Sequence, residues 1–179
     1  MNFAVERGVL ETSPATHIKV TREWARDRVL SRDEILMLIK ALNAKQLWIG
    51  TRLALEMILR TAQRSGEIRL MSREEIDTEN MIWTIPAEKS KNGMKHTVPL
   101  TNKMISIIDV SASTSNSNWI FASPTKIDCP ISEFTLAQSM RKALYESQME
   151  RTTPHDLRRT AATYISEIGF NRLVIDKLL

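Results

Sequence analysis

The sequence predicts an α+β domain that is mainly helical, with a small three-stranded antiparallel sheet set between two helical stretches. Three observations lead there. Apolar residues recur at helical spacing between residues 31 and 61, and again from residue 101 onward. Between those stretches, three short runs rich in β-branched and aromatic residues are separated by turn residues, among them Asn92-Gly93. The 179 residues, 42% apolar and 26% charged, suffice for one buried core and a short appendage.

In chain order, residues 1–30 read as a linker or the remnant of a preceding domain. A short helix at 3–10 is followed by Thr12, Ser13 and Pro14, then by Arg22, Arg26 and Arg28. The domain proper, 31–179, opens at Ser31 and Glu34, which can form a capping box ahead of Ile35, Leu38, Ile39 and Leu42. Residues 47–61 are apolar around most of the helical circumference, the pattern of a buried helix. That helix is expected to end in Ala62-Gln63-Arg64-Ser65-Gly66-Glu67, with Gly66 allowing a sharp turn before a second short helix. Strands are expected at 76–80, 81–86 and 97–100. Helices are expected at 103–110, 133–148, 154–168 and from 172 on, with a polar surface loop at 111–118. The last segment carries Leu173, Val174, Leu178 and Leu179 and stops without a cap, so the sequence is expected to be cut within an element.

Composition narrows the function. One cysteine, Cys129, excludes an internal disulfide, and three scattered histidines supply metal ligation poorly, so neither metal nor cofactor is expected. No apolar run approaches the roughly 20 residues of a membrane helix. Glu6 and Arg7 interrupt the weakly apolar start, unlike a signal peptide. A soluble, intracellular protein is expected. The formal charge of +4 fits an anionic partner without identifying it.

Three clusters can carry chemistry. In Thr153-Pro154-His155-Asp156-Leu157-Arg158-Arg159, Thr153 suits an N-cap, Pro154 the first helical position and Asp156 the third. His155 and Arg158 then share a face of the opening turn, where helix amides and cationic side chains suit a phosphate. Leu157, Ala161, Tyr164, Ile165 and Ile168 mark a different, apolar face. Arg64 is the second cluster, oriented by a rigid helix end, with Glu67 placed to hold its guanidinium or its loop. The third is the hairpin containing Lys89, Lys91 and Lys95, where a lysine acts as a point charge or a proton donor. Taken singly, each cluster also reads as ordinary surface charge.

Together these residues resemble the tyrosine recombinase (phage integrase) family, specifically the catalytic domain of prophage and genomic-island integrases. The resemblance runs from Arg28-Val29-Leu30-Ser31 through Thr61-Ala62-Gln63-Arg64-Ser65-Gly66-Glu67, the hairpin from Trp83 to Lys91, Val98-Pro99-Leu100, and His155-Asp156-Leu157-Arg158-Arg159-Thr160. It implies the DNA breaking-rejoining fold and metal-independent, site-specific recombination through a 3'-phosphotyrosyl intermediate. It implies that Arg64 and Arg158 clamp the scissile phosphate, that Lys91 protonates the leaving 5' oxygen, and that His155 assists. Glu67 supports, and Lys89, Lys95 and Arg159 are weaker candidates for DNA contact.

The implied partners are double-stranded DNA attachment sites, a tetramer on DNA, a directionality factor and a host DNA-bending protein, in the bacterial cytoplasm at the nucleoid. The family's nucleophilic tyrosine follows the segment resembled by Val174-Ile175-Asp176-Lys177-Leu178-Leu179. Tyr145 and Tyr164 precede it and read better as core packing, so no nucleophile is expected in these residues and they are not expected to cleave DNA. Two alternatives stay open: a noncatalytic DNA-binding fragment of a decayed prophage integrase, and a type IB topoisomerase-like enzyme.

Overall fold

The computed structural model describes residues 2–14, 27–44, 46–145, 147 and 149–178. Residues 15–26 of the expected linker, including Arg22 and Arg26, lie outside the described residues, as do Gln148 and Leu179. Among the described residues the helices are α1 (Asn2–Glu6), α2 (Arg32–Ala44), α3 (Ile49–Thr61), α4 (Ser65–Arg69), α5 (Asn102–Ala112), α6 (Glu133–Leu144), α7 (Pro154–Glu167) and α8 (Arg172–Leu178). The strands are β1 (Ile76–Asp77), β2 (Ile82–Ile85) and β3 (His96–Pro99), preceded by a single 3-10 turn (Arg73–Glu75). None of the described helices is long and apolar enough to cross a membrane.

Helix α3 is the centre of the packing. Leu53, Ala54, Leu55, Met57 and Ile58 are all buried, because α2, α4, α5, α6 and α7 surround it. Each large apolar side chain so buried stabilises the fold by roughly 1.5–3 kcal/mol. Helix α2 starts at the expected reciprocal box: Ser31 N–H donates to Glu34 Oε2 (2.9 Å), and Glu34 N–H donates to Ser31 Oγ (3.2 Å). It buries Leu38 and Leu42 and packs on α6 as well as α3. Leu30, placed in the linker by sequence, is buried, and its N–H donates to Thr160 Oγ1 of α7 (3.0 Å).

The chain leaves α3 differently from expectation. The left-handed residue is Ala62 (φ 56°), whose N–H still donates to Ile58 O (3.0 Å), while Gly66 lies inside α4. Left-handed backbone costs a residue with a β-carbon on the order of 1 kcal/mol. Buried packing of Ala62 and its bond to Ile58 offset that strain. A β-carbon at Gly66 would stand 3.4 Å from Glu133 Oε1, an ordinary contact with the end of a flexible side chain.

The sheet order is β1-β2-β3, antiparallel throughout, with Ile76 opposite Trp83 and Trp83 opposite Val98. Trp83, Ile85 and Val98 face the core. Strand β1 is shorter than the expected 76–80 because Asp77 folds back on Asn80, accepting from its N–H (2.9 Å) and Nδ2 (2.7 Å), and Met81 then takes φ 56°. Residues 111 and 112, expected in a loop, finish α5: buried Ser111 donates to Ile120 O (2.8 Å).

The last third departs most from the periodicity. Helix α6 ends at Leu144, and Tyr145, expected in the core, is 87% exposed. Helix α7 buries Leu157 and Ala161 in its first half, but Ile168, just past its end, is exposed. Helix α8 buries Ile175 and leaves Leu173 and Val174 exposed.

Candidate active site

The helix end that carries Arg64 is fixed from within the core. Thr61 Oγ1 donates to Met57 O (2.7 Å), and buried Gln63 donates its N–H to Thr61 Oγ1 (3.2 Å). Arg64 follows as the residue preceding α4, and Glu67 one turn later accepts from Arg64 N–H (2.9 Å) and from Arg64 Nη1 (2.9 Å). A single carboxylate thus orients both the backbone and the side chain of this arginine. Glu67 is able to do so because its side chain is only 4% exposed and has little freedom.

The second arginine arrives from α7. Asp156 Oδ2 accepts from Thr153 N–H (2.8 Å) and from the Thr153 hydroxyl (2.7 Å), closing the helix start. Arg158, one turn in, has a side chain just 11% exposed and brings Nη1 to 3.9 Å from Glu67 Oε2. Burial, then the nearby Arg64, pulls its pKa below the usual guanidinium value, with Glu67 opposing. Two like charges sharing one carboxylate leave a net positive site that an anion can complete.

His155 is exposed at the same helix start. Its pKa lies below the ordinary histidine value, first through loss of hydration against the protein surface, then through the cations Arg159, Arg158 and Lys91, with Asp156 opposing. A neutral imidazole at neutral pH can either donate or accept a proton.

The hairpin between β2 and β3 forms the other wall. Pro86 O accepts from Lys89 N–H (3.1 Å) and Ser90 N–H (3.2 Å), and Gly93 takes φ 65° to turn the chain back. Lys91 is exposed on it. Lys89 turns inward: its Nζ donates to Leu70 O (2.9 Å) and Ser72 Oγ (3.4 Å), pairs with Glu75 Oε1, and stands 4.8 Å from the Trp119 ring centroid.

The walls enclose an open cleft of about 480 Å³ lined by Arg64, Glu67, Lys89, Lys91, His155 and Arg158, and also by Ser65, Gly66, Leu70, Ser90, Glu88 and Glu133. Arg64, Glu67, Lys91, His155 and Arg158, singled out in the sequence, therefore meet in one place. Lys95 and Arg159 do not line the cleft; Lys95 is exposed beyond the hairpin tip and Arg159 pairs with Asp156 Oδ1 (3.4 Å). Glu88 and Glu133 were missed by sequence reasoning. The signal for Glu133 was Ser132, which caps α6 by accepting from Thr135 N–H (3.0 Å) and so sets Glu133 at the helix start. Among the described residues, no group of three or more His, Cys, Asp or Glu is placed to hold a metal ion. Tyr145 lines a separate groove with Phe134, Arg141 and Met149. Tyr164 lies nine residues beyond His155 on α7, about 14 Å along the helix axis.

Residues 28–179 match the family model described as "Phage integrase family". Prophage integrase IntA of Escherichia coli (strain K12) is 26% identical over 183 residues, covering 100% of this chain and 44% of IntA. The integrase of Enterobacteria phage P4 is 25% identical over 185 residues, covering 94% of this chain and 42% of that protein. The chain spans about half the length, or somewhat less, of the curated relatives it matches. Among solved structures, a lambda integrase dimer bound to a COC' core site superposes with a TM-score of 0.75 at 23% identity, covering 99% of this chain and 66% of that one. A lambda integrase tetramer bound to a Holliday junction gives 0.74 at 24%, covering 99% and 54%. At such identities the likeness establishes the fold, a mainly helical domain with a small antiparallel sheet.

Proposed function

Since the chain belongs to the phage integrase family, we propose that it is the catalytic domain of a site-specific DNA recombinase that breaks and rejoins strands through a phosphotyrosyl intermediate. The observation that carries the reading is the sharing of one buried carboxylate, Glu67, by Arg64 and Arg158 beside His155 and Lys91. Attack on a phosphodiester places negative charge on the nonbridging oxygens. Two guanidiniums, one held in α7 and one at the start of α4, neutralise that charge without reorganising.

In the proposed reaction a tyrosine hydroxyl attacks the phosphorus, the new P–O bond forms, and the bond to the 5' oxygen breaks. Lys91 gives the leaving oxygen its proton, and neutral His155 takes or relays the tyrosine's proton. A 5' hydroxyl from another strand reverses the step, so the phosphodiester is conserved. Neither Tyr145 nor Tyr164 lines the cleft, so we assign the attacking tyrosine to neither. Residues 1–179 by themselves are therefore proposed to bind and polarise a phosphodiester without cutting it. The partners proposed for the natural protein are duplex attachment sites, further copies forming a tetramer on DNA, a directionality factor and a DNA-bending protein.

The test uses the natural protein and DNA carrying its attachment site. Covalent protein–DNA linkage should form in EDTA and should vanish in Arg64→Ala while duplex binding largely persists. Linkage retained by Arg64→Ala, or cleavage strictly dependent on Mg2+, would overturn the assignment.

A further inference from the structure

Lys89 lines the cleft, yet its ammonium points at protein rather than at the opening. A lysine ammonium has three donors. Leu70 O, Ser72 Oγ and Glu75 Oε1 supply three acceptors, and the Trp119 ring covers the charge at 4.8 Å. The side chain is only 20% exposed and that of Glu75 only 9%. Glu75 is itself fixed, because its Oε2 accepts from Trp83 Nε1 (3.0 Å) in the core strand β2 and from Ser72 N–H (3.3 Å). Trp119 is fixed as well: its segment bridges Ser72, Arg73 N–H donates to Asn118 O (2.9 Å), and Ile120 N–H donates to Met71 O (2.9 Å). The receiving surface is thus held by bonds that do not involve the lysine.

The place of each partner gives the network its meaning. Leu70 is the cap residue just after α4, and Arg64 is the one just before it. Lys91 stands two residues from Lys89 on the hairpin. We propose that Lys89 is a positioning residue, whose bonds to Leu70 O and Glu75 hold the Lys91 arm in register with the Arg64 helix and which makes no contact with DNA. Its consequence for strand cleavage rests on the recombinase reading above. Its effect on the hairpin does not.

The test compares Lys89→Met, which keeps the aliphatic stem against Trp119, with Lys89→Arg, Glu75→Gln and Lys91→Met. In the 179-residue chain, Lys89→Met and Glu75→Gln should speed amide exchange in residues 86–95 while leaving that of α3 and α7 unchanged. Lys91→Met should not speed it. The salt slope of duplex binding should be unaltered in Lys89→Met, whereas losing a phosphate contact lowers it by about one. Cleavage of ordinary DNA by the natural protein should fall on the order of 10- to 100-fold in Lys89→Met. A substrate with sulfur at the bridging 5' position, whose leaving group needs no proton, should restore the rate. Lys89→Met/Lys91→Met should be no slower than Lys91→Met alone, and Lys89→Arg should recover part of the loss.

Unchanged hairpin exchange in both Lys89→Met and Glu75→Gln, or a salt slope reduced by about one in Lys89→Met, overturns the proposal. So do additive losses in the double variant. If the natural protein with Lys89 intact cleaves neither substrate, the recombinase reading fails instead, and the exchange and salt results still decide the anchor.

Discussion

Arg64 and Arg158 are held by bonds rooted in α3, α4 and α7, whereas Lys91 is exposed on a hairpin from which Lys89 reaches back to the body. The arginine wall is continuous with the core. Its carboxylate, Glu67, is buried, and the backbone on both sides of Arg64 is hydrogen-bonded. Residues 91–95 of the lysine wall are exposed and turn back through Gly93 at φ 65°. On the proposed reading, the difference divides the work of one cleft. Permanent charges that stabilise a developing anion gain from being fixed in advance. In the proposed reaction Lys91 carries a proton to the leaving oxygen, and a surface arm anchored by half-buried Lys89 permits that at low entropic cost.

The sharpest way to break this contrast is Glu67→Leu. It removes the shared carboxylate and leaves two guanidiniums facing each other, so unfolding in urea should show a loss of roughly 2–3 kcal/mol, at the low end for a broken buried pair because Arg64 reaches solvent. A loss below about 0.5 kcal/mol, the surface-substitution range, would mean that the arginine wall is no more rigid than the lysine wall.

Next comes Lys91→Ala, which touches nothing in the core. Stability should stay within about 0.5 kcal/mol of the parent, while the salt slope of duplex binding drops by about one. An unchanged slope would remove Lys91 from the phosphate path.

The smallest effect is the titration of His155. Its folded pKa lies below the ordinary value of about 6.5, so the folded chain binds this proton less tightly than the unfolded chain does. The stability it contributes is complete above the ordinary value and declines as pH falls from there through the lowered folded value. NMR titration should place the midpoint below that of a free histidine, and a bound phosphodiester should move it up by favouring the imidazolium. A midpoint at or above the free value would mean that hydration and the cations Arg159, Arg158 and Lys91 do not act on the ring as described.

Much of this was legible in the sequence for local reasons. The reciprocal bonds of Ser31 and Glu34, the pairing of Glu67 with Arg64, and the placement of His155 and Arg158 in one opening turn depend on residues three or four apart, which short-range spacing can report. The misreadings arose where a neighbour distant in sequence decides. Gly66 was the natural choice for the left-handed turn, yet Ala62 takes it, since core packing outweighs intrinsic preference there. Tyr145 follows an apolar stripe but lies past the last turn that the core covers. The resemblance singled out Lys91 among the three hairpin lysines but said nothing of where Lys89 points. Only Leu70, Glu75 and Trp119, contributed by other segments, distinguish Lys89 from the rest.

By itself, then, the sequence determined the order of helices and strands and the pairing within each motif, because these follow from periodicity and contacts within a turn or two, and its motifs carried the resemblance to the family. The tertiary structure alone decided that Arg64 and Arg158, 94 positions apart in the numbering, share one carboxylate, that Lys89 faces inward while Lys91 faces out, and that Glu133 borders the cleft. Those facts depend on packing between segments remote along the chain, where the loss of water and the meeting of charges are properties of the assembled fold and of no single stretch.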